Sequence, residues 1–268
     1  MVNARPTYAI LHRDATLLVV DKAAGVLTVA APGSRERCLL DDLRRDALPV
    51  APVHRLDRET SGALLLCLAP AQRAALEALF RGHEVTKEYL ALVHGVPQAR
   101  AATIDVPILD EGAVARVNRR GQRAVTHYAV ERTFGGAAIG AAGPVSLLRV
   151  RLDTGRHNQI RVHLAHLGHP LLGDRKYGQR TGGTRAGGRP GREGQGPARG
   201  AAARGGTRPD RGPRPERCML HAERLALRHP ASGARLDVHA PLPADFAELL
   251  AVLAVSGSGS GGAGRSRS

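Results

Sequence analysis

Tryptophan is absent from this 268-residue chain, and only three Phe and four Tyr are present. A base-stacking platform rich in aromatic side chains is therefore excluded as the main means of holding a ligand. Three cysteines, Cys38, Cys67 and Cys218, are too few and too scattered for a disulfide framework or a Cys-x-x-Cys knuckle. They fit a reducing compartment, so a cytoplasmic protein is expected. No apolar run approaches the roughly 20 residues needed to span a bilayer, and the opening MVNARPTYAILHRDA lacks the apolar core of a secretion signal. The 32 glycines keep no three-residue period, which excludes a collagen-like chain; with 17 prolines they exceed what a compact domain of this length needs.

Positive charge is what the chain has in excess. Lys and Arg number 39 against 24 Asp and Glu, a formal net charge of +15. A surplus of that size points to a polyanionic partner, with nucleic acid ahead of an anionic membrane surface. Much of it is concentrated. In residues 179–215, 25 of 37 positions are Gly, Arg or Pro, with no Leu, Ile, Val or aromatic residue and a net +7. Such a segment cannot bury enough apolar surface to offset its ordering entropy and is expected to be a disordered insert. Residues 256–268 form a Gly/Ser-rich flexible tail carrying +2, which leaves +6 for the other 218 residues. The two basic segments suit a loose, salt-sensitive hold on RNA phosphates, with inert filler as the alternative.

Those 218 residues alternate strand and helix signals. Apolar runs predict strands at 16–21, 63–69, 88–93, 124–132, 145–152, 219–227 and 236–239. Helices are predicted at 70–80, opened by Pro70 with Leu76, Leu79 and Phe80 on one face, at 156–167 with Ile160, Leu164 and Leu167 spaced i, i+4, i+7, and at 243–252. Strand-to-strand links without an intervening helix argue for a mixed, largely antiparallel sheet. The expected organisation is one α+β domain over residues 1–255, interrupted by the 179–215 insert and followed by the tail.

The segment richest in chemistry is VHRLDRETSG, residues 53–62, where Asp57 lies between Arg55 and Arg58 just ahead of an apolar strand. A neighbouring guanidinium favours the ionised carboxylate, which suits nucleophilic or electrostatic work. On composition alone, an Arg-Asp-Arg cluster is more often a surface ion pair. The wider pattern decides. His54-Arg55-Leu56-Asp57-Arg58-Glu59-Thr60-Ser61-Gly62 resembles the HRLDxxTSG signature of the RluA-type pseudouridine synthases. Lys22-Ala23-Ala24-Gly25 resembles that family's K-P-x-G turn, with Ala23 where Pro is usual, and KEYLALVHG at 87–95 its K-x-Y-x-A-x-V-x-G strand. Thr154-Gly155-Arg156, Gln159 to Leu164, Leu167-Gly168-His169-Pro170 and Gly173-Asp174 follow its TGRxxQIRVHL…LGHP…GD block. Leu220-His221-Ala222 and Pro241-Leu242-Pro243 are similar to its C-terminal end, so the anchors run in order over roughly residues 10 to 250.

The resemblance implies a curved, mostly antiparallel mixed sheet with flanking helices and an active-site cleft across it. It also implies a cofactor-free, metal-free isomerisation of uridine in structured ribosomal or transfer RNA. The N-glycosidic bond breaks, the uracil turns, and it is rejoined through C5. Asp57 aligns with the catalytic aspartate, which attacks the ribose or promotes glycal formation. Tyr89 aligns with the active-site tyrosine at the uracil face, and Arg161 with the arginine that pairs with the aspartate. Because a stacked uridine is unreachable, the nucleotide must be flipped out, at a cost of a few kcal/mol. Arg55 is the candidate to fill the vacated space, and a guanidinium plane can stack on bases. Arg58, Lys87, Arg156 and Lys176 are candidate RNA contacts. A monomer with an RNA partner and no membrane is expected.

One departure stands out. The family often reads TGRTHQIR, whereas here the run is TGRHNQIR, so His157 falls one place early and Asn158 takes the usual position. One residue is about 100° around a helix, so His157 cannot simply substitute. No S4-type RNA-binding domain is expected ahead of the catalytic part. Three rivals remain. A metal site at His163, His166 and His169 lacks a completing carboxylate or thiol. Glycoside hydrolysis by Asp57 and Glu59 would need the two carboxylates to flank a bond, which residues two apart seldom do. The third is a catalytically silent RNA-binding protein on the same fold.

Overall fold

The computed structural model describes residues 6–178, apart from 137, 138, 140 and 142, and residues 215–257. The expected insert therefore lies outside the described residues except for Pro215, as does the expected tail from residue 258 onward. The strands are β1 (Tyr8–Arg13), β2 (Leu17–Lys22), β3 (Ala51–Pro52), β4 (Ser61–Cys67), β5 (Thr86–His94), β6 (Ala101–Asp105), β7 (Ile108–Asp110), β8 (Ala115–Val117), β9 (Val125–Phe134), β10 (Val145–Leu152), β11 (Leu220–Arg228) and β12 (Arg235–His239). The helices are α1 (Leu39–Arg45), α2 (Arg73–Arg81), α3 (Gln159–His166) and α4 (Ala244–Gly257).

Eight strands run in the order β1-β2-β4-β11-β5-β10-β9-β6, with β12 added on β11 and β3 on β4; β7 and β8 form a separate hairpin. Every pairing in the large sheet is antiparallel except that of β4 with β11. Gly62 sits at that parallel junction with φ +113°, and a Cβ there would collide with the Ala222 carbonyl, so only glycine fits.

Side chains alternate across the pleat, and both faces of the central strands are buried. Leu18, Val20, Leu64, Leu66, Tyr89, Ala91, Leu148 and Val150 pack on one face with Leu39 and Leu43 of α1 and Ile160 and Leu164 of α3. Their neighbours Leu17, Val19, Leu65 and Cys67 pack on the other with Leu76 of α2, and Leu92 and Val145 with Phe246, Leu249 and Leu253 of α4. The result is the expected mixed α+β architecture, and the α1/α3 face carries the site. Among the described residues no helix is long and apolar enough to cross a membrane.

Each of the three expected helices differs at a boundary from the sequence reading. The segment opened by Pro70 begins as a 3-10 turn, Pro70–Gln72, before α2. Helix α3 starts at Gln159 rather than 156, because Asn158 is left-handed at φ +53° and cannot belong to an α-helix. At its other end Leu167 is 41 % exposed, so the buried stripe stops at Leu164. Helix α4 runs on to Gly257, two residues into the expected tail.

Candidate active site

The loop between β3 and β4 carries Asp57, and nearly every residue beside it is anchored to a distant part of the chain. His54 stacks on Phe80 with ring centroids 4.4 Å apart, and its Nε2 accepts the Leu65 N–H at 3.0 Å. A ring acting as acceptor must be neutral, and burial, reinforced by the nearby Lys87 charge, pushes its pKa down to about 3. Leu56 is buried, and its carbonyl and N–H both meet the Thr28 hydroxyl, at 2.9 and 3.3 Å. The Arg58 carbonyl accepts from the Gly25 N–H at 2.8 Å and the Lys22 ammonium at 3.3 Å. The Glu59 carboxylate accepts the Cys218 N–H at 3.3 Å.

Asp57 itself is left open. Its carboxylate accepts no hydrogen bond from a described residue, and its one ion-pair neighbour is Arg161, with Nη1 3.9 Å from Oδ2. The two arginines beside it in sequence are not its partners. Arg58 turns outward to Glu36 at 2.5 Å, and Arg55 is exposed with no carboxylate in ion-pair range among the described residues. The charge environment read from the Arg-Asp-Arg run is therefore supplied by other residues, because adjacent side chains on a loop diverge.

Arg161 is held by a second carboxylate. Its Nε and Nη2 bond to Asp174 at 2.8 and 2.9 Å, and Nη1 bonds to the Asn158 side-chain oxygen at 3.2 Å. Burial alone would weaken the guanidinium's hold on its proton, but Asp174 and Asp57 more than offset this and raise its pKa. Asn158 also donates to the Tyr177 hydroxyl at 3.1 Å, and that hydroxyl accepts the Ala115 N–H of the β7–β8 hairpin at 3.0 Å. Asn158 thus uses its left-handed backbone to point one amide at the arginine and the tyrosine together, a role that the sequence left unassigned. His157 goes elsewhere, with Nδ1 3.0 Å from Asp110 on the hairpin.

Tyr89 on β5 is 8 % exposed and lines the same pocket as Asp57. Burial, and then the Asp57 charge, push its phenol pKa up, so it is a neutral hydroxyl in the resting site. Lys22 is fully buried, and its ammonium donates to the carbonyls of Ala23 and Val26, both at 2.8 Å, as well as Arg58. Burial brings its pKa down to about 7, against the opposing pull of Asp57.

Asp57 stands where two cavities meet. An outer cleft of about 360 Å³ is lined by Val29, Arg55, Asp57, Arg58, Arg161, Arg175 and Lys176. An inner pocket of about 100 Å³ behind it is lined by Tyr89, Leu152, Ile160 and Leu220 and shares Arg55, Asp57, His157, Asn158 and Arg161 with the cleft. Apolar walls, a phenol floor and a few converging polar groups describe a pocket for one flat polar ring. Of the other sequence candidates, Arg156 lines the inner pocket, Lys176 lies over the Tyr177 ring at 5.4 Å, and Lys87 lines a further cavity behind Tyr89.

The histidines of the metal reading are engaged separately. His163 bonds to Thr126 and the Val106 carbonyl, and His169 to the His94 carbonyl. Among the described residues no group of three or more His, Cys, Asp or Glu is arranged to hold a metal. Glu59 of the glycosidase reading spends its carboxylate on Cys218.

Comparison with known proteins gives a consistent result. A family model described as RNA pseudouridylate synthase matches residues 16–166. Ribosomal large subunit pseudouridine synthase D of Haemophilus ducreyi is 33 % identical over 263 residues, covering 91 % of this chain and 70 % of that protein. Its counterpart in Escherichia coli K12 is 34 % identical over 263 residues with the same coverage. Among solved structures, human RNA pseudouridylate synthase domain containing 4 superposes with a TM-score of 0.64 at 25 % identity, covering 92 % of this chain and 93 % of that one. Human RNA pseudouridylate synthase domain containing 1 gives 0.62 at 26 %, covering 91 % and 94 %.

Proposed function

The chain belongs to the RNA pseudouridine synthase family, the isomerases that convert uridine to pseudouridine in RNA, and from that premise we propose that it acts on ribosomal RNA with Asp57 as its nucleophile. The matched relatives are named as enzymes of the large ribosomal subunit, which favours ribosomal over transfer RNA. A ribosomal substrate goes with a cytoplasmic home and with the three free, buried cysteines. The chain is expected to act as a monomer.

The single observation that carries the mechanism is the open Asp57 carboxylate between cleft and pocket. A flipped uridine in the inner pocket brings its ribose to Asp57. Attack of a carboxylate oxygen on C1′ breaks the bond to N1 and releases uracil as an anion. The uracil turns in the pocket and presents C5. Attack of C5 on C1′ then forms the new bond and returns the electron pair to Asp57, after which the C5 proton leaves to restore the ring. Arg161 steadies the carboxylate as it departs, without having bonded to it in the resting state. The proton lost from C5 is balanced by one gained at N1, and Tyr89, a neutral phenol while Asp57 is charged, is the group in the pocket to relay it.

Arg55 at the mouth shared by both cavities is the residue to fill the gap left by the flipped base. Arg58 and Lys176 on the rim, and Lys87 and Arg156 behind, contact the RNA backbone. Release of tritium from C5-labelled uridine in ribosomal RNA tests the scheme. The wild type should release it and Asp57→Asn should not. Pseudouridine made by Asp57→Asn overturns the nucleophile, and an inactive wild type that still binds RNA turns the reading to a silent RNA-binding protein.

A further inference from the structure

Beside the inner pocket lies a further cavity of about 480 Å³ that Tyr89 also lines. It shares Arg55, Tyr89, Leu152, Gly155 and Arg156 with the wall of the inner pocket, so the two adjoin. Every charged group on its wall is basic: Arg55, Arg81, Lys87 and Arg156, with His83 beside them. None of the four cations here has a carboxylate within ion-pair distance among the described residues. Arg156 has only a carbonyl, that of Arg123, at 3.0 Å from its Nε.

Lys87 makes the case specific. It is only 8 % exposed, yet no described residue accepts a hydrogen bond from its ammonium. The carboxylate that acts on it from a distance, Asp153, is occupied by His127 at 2.8 Å and Arg151 at 3.1 Å. An ammonium on so largely buried a side chain, opening onto the cavity with no acceptor among the described residues, gains from an anionic ligand there. The Arg81 and His83 side chains reach the same cavity because α2 ends there, with His83 in a left-handed turn at φ +60°.

We infer that this cavity is an anion site for a phosphodiester group of the RNA strand, one nucleotide removed from the uridine held against Tyr89. The inference rests on the RNA reading above and adds two residues to it, Arg81 and His83. Uridine in the inner pocket has a phosphate on each side within one sugar of its base, and Arg55 and Arg156 line both cavities. A phosphodiester carries one negative charge and two acceptor oxygens. It suits converging guanidinium groups and a buried point charge.

Binding of a uridine-containing RNA hairpin, measured in KCl from 50 to 300 mM for the wild type, Lys87→Met, Arg81→Gln and Arg13→Gln, tests this. Met keeps the length of the Lys87 stem and removes the charge. Lys87→Met should bind about tenfold more weakly, with the slope of log K against log salt shallower by about 0.7 to 0.9. It should also melt about 2–4 °C higher than the wild type, because an uncompensated charge is gone. Arg81→Gln should lower the affinity and the slope in the same sense. Combined with Lys87→Met it should cost less than the two single losses together, since both act on one phosphate. Arg13, which lies on β1 and lines no such cavity, should change neither property. An unchanged slope in Lys87→Met, an equal effect in Arg13→Gln, or a lower melting point with unchanged affinity would each overturn the site. The assay reads binding, so it stands apart from turnover: an inactive wild type counts against the proposed function, and the slopes alone decide the anion site.

Discussion

Replacing Asp174 with Asn asks whether Arg161 is held for Asp57 or simply lies near it. The Asp174 side chain is 1 % exposed and accepts four donors: Arg161 Nε and Nη2 at 2.8 and 2.9 Å, and the N–H groups of Lys176 and Tyr177, both at 2.9 Å. Breaking a buried pair by removing one charge costs about 3–5 kcal/mol. Asn keeps the volume and one acceptor oxygen, so the lower end, about 3 kcal/mol, is expected. The freed guanidinium has one other carboxylate nearby, Asp57, already 3.9 Å away. At that separation opposite unit charges attract by about 4 kcal/mol at an effective dielectric of 20. Arg161 should therefore swing onto Asp57 and bond to the oxygens that ought to attack. Breaking those bonds on the way to the transition state adds about 3 kcal/mol, or roughly a hundredfold in rate. Urea unfolding reads the first number, and single-turnover tritium release at saturating RNA reads the second. A stability loss under about 1 kcal/mol together with a wild-type rate would refute the idea that Asp174 keeps the arginine off the nucleophile.

Two more predictions use other anchors of the site. His54 is neutral when folded, with its pKa down at about 3, whereas an unfolded histidine titrates near 6.5. Protons therefore favour the unfolded chain. The His54 contribution is fully present above pH 6.5 and declines toward pH 3, by about 2 kcal/mol at pH 5. His54→Gln keeps an acceptor for the Leu65 N–H without the titration, so its stability should fall about 2 kcal/mol less between pH 8 and pH 5 in urea unfolding; parallel pH curves would sink the claim. Asn158→Ala places a Cβ residue at φ +53° and loses the bonds to Arg161 and Tyr177, while Asn158→Gly loses the bonds alone. Glycine should recover about 1 kcal/mol of stability relative to alanine, yet leave the single-turnover rate about tenfold below wild type. Full recovery of the rate would reduce Asn158 to a backbone role.

What could be read from the sequence divides along physical lines. Strand β4 is legible because every residue of it is buried and Ala63 to Leu66 run without interruption, and β5 and β10 because Leu, Val and Ala recur along them. Strand β6, AATID, and the three-residue strands of the β7–β8 hairpin leave no such trace, since their pattern is half exposed and their pairing comes from partners elsewhere. Helix α1 escapes notice because seven residues are too few to show a period.

The site divides in the same way. A motif can single out Asp57, but the field at Asp57 comes from Arg161 and Lys22, and the hold on Arg161 comes from Asp174 and Asn158. The neighbours that looked like its partners, Arg55 and Arg58, line the cleft with it, yet among the described residues neither forms an ion pair with it. The structure adds a contrast that composition could not reveal. His54, Leu56, Arg58 and Glu59 are each tied to residues outside their loop, while the Asp57 carboxylate between them accepts no hydrogen bond from a described residue. A loop braced on both sides of an unbonded charge keeps that charge at a set position while leaving its lone pairs available. That is the requirement for a carboxylate that must bond first to a ligand, and it separates Asp57 from an ordinary surface ion pair. The same distinction applies to the cations: most of the +15 falls outside the described residues or is paired, and the unpaired groups gathered around Lys87 are the ones on which the proposed anion site draws.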